Sequence, residues 1–243
     1  MPEGHLAHRF ARLQRPLVGS ELEVSSPQGR FAEGAAEVTG GRLDAVEAHG
    51  KHLLHRFGDR EVHTHLGMQG TWAELPTPPP PPRPQARLRL SGSPATWDLF
   101  APGTCELLDE AGVDRLLSGL GPDPLRGDAP EPAWERLSTH AGSIGEALLD
   151  QSVIAGPGNV LRAEVLAAVG VDPRRPTSSV DRPLFDRLWA ELTGRMEAAA
   201  AAGSIDKQVY KQESCGRCGT PIETFDLPKG RVAYRCPACQ VAA

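Results

Sequence analysis

The sequence predicts an α+β multidomain chain: an N-terminal antiparallel β-sandwich flanked by a helix, then a helical domain, then a C-terminal metal-binding hairpin. Three observations predict it. The first half alternates short apolar–polar stretches with glycines, the period of half-buried strands. Past a Pro/Gly cluster, GLGPDPLRGDAPEPAW at 119–134, the apolar spacing becomes helical,. The tail from 204 to 243 is short and polar and holds four of the five cysteines. The expected domains are 1–120, 121–205 and 206–243.

The chain opens MPEGHLAHRF, an amphipathic helix expected to end near Pro16,. Leu6, Phe10, Leu13 and Leu17 fall on one stripe of it,. The segments ELEVSS, GRLDAVEAHG, KHLLHRFG, EVHTHLGMQG, ARLRLSG and TWDLF read as strands,. LPTPPPPPRP at 75–84 interrupts them; consecutive prolines cannot join a ladder, so an exposed loop is expected,. The cluster at 119–134 reads as a linker. SIGEALLDQSV is then a helix, AGPGN at 155–159 a tight turn, and VLRAEVLAAVG a second helix, giving a helix-turn-helix-like unit,. RPLFDRLWAELTGRMEAAAAAG is a long helix ended by Gly203,.

Composition narrows the function classes. No run of about 18 apolar residues is present, which excludes a transmembrane helix,. No apolar h-region follows the start, so no secretory signal is expected and a reducing cytosol is. The net charge of −5 leaves no overall basic footprint,. A nucleic-acid partner therefore requires a basic face concentrated in one place.

The strongest chemical signal is in the tail. Cys215 and Cys218 form one C-x2-C pair, Cys236 and Cys239 another. That spacing presents four thiolates to one tetrahedral ion, so one structural Zn2+ is expected. So short a segment cannot bury enough apolar surface alone, and metal binding would drive its folding. The residues between the pairs should form a hairpin tipped by LPKGR, with Lys229, Gly230 and Arg231 projecting. His63 and His65 share a face in EVHTHL, but no carboxylate joins the histidines at ligand spacing, so they read as polar strand residues. Cys105 reads as a buried free thiol.

Three separated pieces, the N-terminal Pro-Glu-Gly, the GPGN turn between helices and the zinc ribbon with Arg231 five residues before its third cysteine, occur in one order. With SSPQGRFAEGA, AHGKHL and LLDQSVIAGPGNVLRAEVL between them, the chain resembles the formamidopyrimidine-DNA glycosylase / endonuclease VIII family, in its bacterial endonuclease VIII-like branch. The resemblance runs over essentially the whole chain. It implies a helix-two-turns-helix domain and a bifunctional DNA glycosylase/AP lyase of base-excision repair. Met1 would be removed and the Pro2 amine would be the nucleophile, with Glu3 as acid/base and Lys51 on a phosphate beside the lesion. Met68 and Gln69 would fill the space left by the flipped base, and Asn159 and Arg231 would hold phosphates. The implied partner is damaged DNA, bound by a monomer in the cytosol. A non-catalytic lesion-binding protein on the same fold is the alternative; it would not need a free Pro2.

The sequence departs from the family pattern in places. His5 and Leu6 stand where many members have a second Pro-Glu, and Leu161 where many have Tyr. The stretch between Gly203 and Cys215 is too short for the long capping loop of the 8-oxoguanine-specific branch, which favours oxidised pyrimidines as substrates.

Overall fold

The computed structural model describes residues 2–228 and 231–241. The chain divides into two compact units. One comprises Pro2 and Leu6–Ser118, the other Glu3–His5 and the residues from Gly119 on.

The first unit is a β-sandwich. One sheet has the order β1 (Glu23–Ser25), β6 (Ala86–Ser91), β7 (Thr96–Phe100), β5 (Thr71–Leu75). The other runs β2 (Ala45–His49), β3 (His52–Phe57), β4 (Arg60–His65), β8 (Thr104–Leu108). All pairings are antiparallel. The alternation along each strand sends one set of side chains inward: Val24, Leu53, Val62, Leu88, Leu90, Trp97 and Leu99 form the core. The strands β5 and β8, with α2 (Ala32–Val38) and α3 (Glu110–Ser118), extend the predicted set. The proline-rich loop lies between β5 and β6, and most of it is exposed. Arg89 ties it down by donating to Pro80 O at 2.9 Å, while its guanidinium bonds the buried Asp98 at 2.7 and 2.8 Å.

The first helix, α1, is Gly4–Gln14, followed by a 3-10 turn over Arg15–Leu17. Phe10 and Leu17 are buried as the stripe requires, but Leu13 is 37% exposed. The buried place goes to Gln14, whose Oε1 accepts from His55 Nε2 at 2.6 Å. A polar side chain is tolerated there because another polar group meets it.

Burial holds His55 neutral, with its pKa pushed down to about 4. His52 is pushed down to about 3, first by burial and then by His63, His65, His49 and Lys51 around it. Below pH 6.5 the unfolded chain binds protons that these folded imidazoles refuse. Stability therefore falls as pH drops from about 6.5 toward 4. Thermal unfolding at pH 7, 6 and 5 is expected to give a descending Tm; a flat profile over that interval contradicts this account.

The second unit is helical, with a hairpin appended. Its helices are α4 (Glu131–Thr139), α5 (Ile144–Ala147), α6 (Asn159–Val169) and α7 (Arg182–Ala202). The stretch at 119–134 is more ordered than a linker. Asp123 caps a 3-10 turn, accepting from Leu125 N at 2.8 Å, and α4 begins inside the stretch. SIGEALLDQSV yields only the four residues of α5, opened by a Ser143/Glu146 capping box,. The remainder turns back as Gln151 staples the AGPGN loop, donating to Pro157 O at 2.9 Å and accepting from Gly156 N at 3.0 Å. α7 is capped by Asp181 and ends at Gly203, whose φ of +79° suits a residue without a Cβ,. The tail adds the hairpin β9 (Glu223–Leu227) and β10 (Arg231–Arg235). Lys229 and Gly230, expected at its tip, lie outside the described residues.

Candidate active site and its supports

Pro2 is half-buried, and Glu3, the next residue, is 2% exposed. A buried carboxylate needs strong donors. Glu3 takes them from the start of α6: Gly158 N at 2.9 Å, Val160 N at 2.8 Å and Leu161 N at 3.1 Å. The first amides of a helix lack intrahelical acceptors, and the helix dipole favours an anion there. Gly4 N donates to Gly156 O at 2.9 Å, fixing the backbone on the far side of Glu3. The sequence alone allows Glu3 to be an acid in the first turn of its own helix; its carboxylate instead caps a helix more than 150 residues away.

Gly158 makes this close approach possible. A Cβ at 158 would lie 2.5 Å from Glu3 Cδ and Oε1. Gly158→Ala is expected to push the carboxylate off the helix start. It should lower stability by about 1–3 kcal/mol, as overpacking does, and depress any reaction that uses Glu3. Denaturant unfolding and strand cleavage, measured on one preparation, check both; unchanged values contradict the role given to the cradle.

Asn159 is the first residue of α6, and Gly158 occupies the cap position. Asn159 is therefore not the N-cap of α6. Its Nδ2 donates to Val232 O at 3.1 Å and its Oδ1 accepts from Arg162 Nη2. Arg162 is 1% exposed; it also donates to Val232 O at 2.7 Å and to Gly145 O at 3.4 Å. Burial, then the charge of Arg231, lowers its pKa to about 10. Arg231 itself opens β10 and is exposed.

In the sandwich unit, Lys51 sits half-buried in the turn Gly50–Lys51, closed by the His49↔His52 pair of β2 and β3. Gly50 takes a φ of +57° there. Met68 and Gln69 lie in the turn between β4 and β5, and both are exposed. Met68 is 63% exposed, so it is not a core methionine. The histidines do acquire a carboxylate, from β8. His63 Nδ1 is 2.8 Å from Glu106 Oε1, and His63 Nε2 is 2.9 Å from His52 Nδ1. No spacing rule reveals Glu106, because it faces His63 only through the β4–β8 register. Cys105 beside it is half-buried, and burial pushes its thiol up to about 12.

The Sγ atoms of Cys215, Cys218, Cys236 and Cys239 lie within 4.8 Å of one another. Cys218 is 3.4 Å from both Cys236 and Cys239. A tetrahedral ion with ~2.3 Å metal–sulfur bonds needs edges of about 3.8 Å, so the four thiols fit one metal. Arg217 Nε points at Cys239 Sγ from 3.4 Å, a donor suited to a thiolate.

Buried polar residues brace the cluster. Gln240 accepts from Cys236 N at 2.8 Å and donates to Val171 O at 2.8 Å. Glu164 accepts from Gln208 N, Val209 N and Tyr210 N at 2.8–3.1 Å. Asp172 binds Arg174 at 2.7 Å and also Arg235. Sequence reasoning missed Arg162, Glu164 and Asp172. The available signal for the first two was a pair of charges inside the otherwise apolar run VLRAEVLAAV, eight of whose ten residues are buried in the structure.

Comparison with known proteins agrees over the whole chain. Residues 1–99 match the model of the formamidopyrimidine-DNA glycosylase N-terminal domain, and residues 120–210 match that of its H2TH domain. Endonuclease 8 1 of Mycobacterium tuberculosis is 41% identical over 268 aligned positions, covering 99% of this chain and 100% of the relative. A DNA-(apurinic or apyrimidinic site) lyase, Nei2 of Mycolicibacterium smegmatis, is 34% identical, with 100% of each chain covered. Among solved structures, MutM in complex with DNA containing carbocyclic 8-oxo-G superposes with a TM-score of 0.83 at 23% identity, covering 99% of this chain and 100% of that one. Lactococcus lactis Fpg with abasic-site DNA gives 0.82, also at 23%, with the same coverage. At that identity the two structures speak for the fold, a β-sandwich, a helical H2TH domain and a hairpin with a four-cysteine cluster. The matched domains and the relatives together place the chain in the formamidopyrimidine-DNA glycosylase/endonuclease 8 family, as a DNA glycosylase with AP lyase activity.

Proposed function

We propose that this enzyme binds damaged DNA as a monomer, removes oxidised pyrimidines and cuts the strand through a Schiff base on the Pro2 amine. The observation that supports this most is the placement of Glu3. The residue peptide-bonded to the nucleophile is buried and held by three amides at the start of α6, the helix whose first residue is Asn159. An acid/base and a phosphate ligand are thereby set by one helix terminus.

Removal of Met1, itself outside the described residues, frees the secondary amine. Its lone pair attacks C1′ of the damaged nucleotide, and the base leaves with its bonding electrons and a proton. Glu3 supplies the proton to the sugar ring oxygen that opens the ring. The resulting iminium accepts electrons, so the C2′ proton is lost and the 3′ phosphate departs by β-elimination; the 5′ phosphate follows by δ-elimination. Lys51, Asn159 and Arg231 hold phosphates, and Met68 with Gln69 enters the space vacated by the flipped base. Zinc is the metal of the four cysteines; when bound, it supplies a rigid platform for Arg231 and no chemistry at the sugar.

The lesion class rests on the short segment after Gly203. Its amides at 208–210 are bound by Glu164, which leaves no long loop to enclose a purine. Cleavage of duplexes carrying 5-hydroxyuracil, thymine glycol or 8-oxoguanine tests the reading. Faster cleavage of the pyrimidine lesions is expected; faster cleavage of 8-oxoguanine would overturn the lesion class.

A further inference from the structure

Arg162 has no need to be an arginine for packing. It sits fully buried in α6 beside the apolar Val160, Leu161, Ala163 and Val165, and the helix's other buried charge, Glu164, is taken up by the amides of 208–210. A buried guanidinium costs desolvation that an apolar residue of similar volume avoids. None of its three acceptors is a carboxylate: they are Asn159 Oδ1, Val232 O and Gly145 O.

The chemistry of those partners dictates one orientation of Asn159. A guanidinium only donates, so it must meet the amide oxygen. The Val232 carbonyl only accepts, so it must meet the amide nitrogen,. Either partner alone fixes the same rotamer, and together they forbid the flip. With Oδ1 taken, the group that Asn159 retains is the second Nδ2 hydrogen, which has no partner among the described residues. Arg162 Nη2 and Asn159 Nδ2 also converge on the carbonyl of Val232, the residue after Arg231. One guanidinium therefore ties the start of α6 to the start of β10.

We propose that Arg162 is a positioning residue for phosphate recognition: it forces Asn159 to present N–H rather than C=O to DNA, and fixes Arg231 in register with that N–H. This deepens the proposed function and rests on it. Arg162 does not touch DNA in this account; it acts through Asn159 and the hairpin backbone.

The test uses full-length, zinc-loaded protein and duplexes with one tetrahydrofuran abasic analogue. Each phosphate near the analogue is replaced in turn by an uncharged methylphosphonate. Wild type is expected to lose about tenfold in affinity at the phosphate that Asn159 holds, the scale of one hydrogen bond to a charged group, apart from the losses at the phosphates of Lys51 and Arg231. That sensitivity should vanish in Asn159→Ala and equally in Arg162→Met. On the unmodified duplex, the double variant should bind within about twofold of the weaker single variant, because both side chains serve one phosphate-binding unit. Arg162→Lys keeps a buried cation but loses the fork, and should also lose the sensitivity; it serves if Arg162→Met does not fold. Wild-type phosphate sensitivity in a folded Arg162 variant, or losses that multiply in the double variant, would overturn the inference alone. A wild-type protein that does not bind the duplex would overturn the DNA reading with it.

Discussion

Glu3→Gln protein is expected to excise a damaged base at least about a hundredfold more slowly than wild type, the lower bound for losing a positioned acid/base. The substitution is nearly isosteric, so the loss is chemical. A carboxylate offers two acceptor oxygens to the amides of Gly158, Val160 and Leu161. A glutamine offers one, and its NH2 must face an N–H. A charge-assisted bond contributes about 1.5–3 kcal/mol, so the same variant should melt several degrees lower. The two effects separate in the assay: excision from a lesion duplex needs the acid, whereas affinity for an abasic-analogue duplex needs only the assembled phosphate ligands. Glu3→Gln protein with wild-type excision would remove Glu3 from the reaction.

Metal removal should have the second large effect. The hairpin β9–β10 has few buried residues of its own: Leu227, Ala233 and the cysteines Cys215 and Cys236 are the main ones in the tail beyond Gly203, with Val209 and Tyr210. Without their ion the four cysteines take up protons and lose the bonds that tie the hairpin together, and structural zinc contributes on the order of 10 kcal/mol in isolated fingers. Treatment with a strong chelator, verified by metal analysis, is expected to lower affinity for abasic-analogue DNA by at least about a hundredfold as Arg231 loses its platform. Cys236→Ser should reproduce the loss, and added zinc should restore binding only to the chelated wild type. Full affinity in protein proven free of metal would contradict the structural role given to the cluster.

What the sequence disclosed, and what it hid, follows from the range of the interactions. The cysteine pairs are legible because ligand spacing within a knuckle is local. The strand alternation in ARLRL and EVHTHL is local too, and both became strands. Asn159 became a candidate through the resemblance of its GPGN turn to the family pattern. Its neighbours in space are not legible that way, because Val232 comes from the hairpin across 73 residues of chain. Glu3 reaches α6 across more than 150 residues, so no local rule assigns it those amides. Leu13 leaves the expected stripe and Gln14 is buried in its stead, because the helix passes into a 3-10 turn at Arg15–Leu17 and His55 offers Gln14 a partner inside. The helix expected over SIGEALLDQSV stops early because Gln151 bonds the turn backbone.

The proposed mechanism requires a free Pro2 amine to form the covalent intermediate. Borohydride reduction of native protein on a duplex with one abasic site tests it most directly, alongside protein whose N-terminus is blocked by a tag. One adduct per native molecule is expected, mapped to Pro2 by peptide mass, and none from the blocked protein. An adduct that survives blocking, or that maps to Lys51, would contradict it.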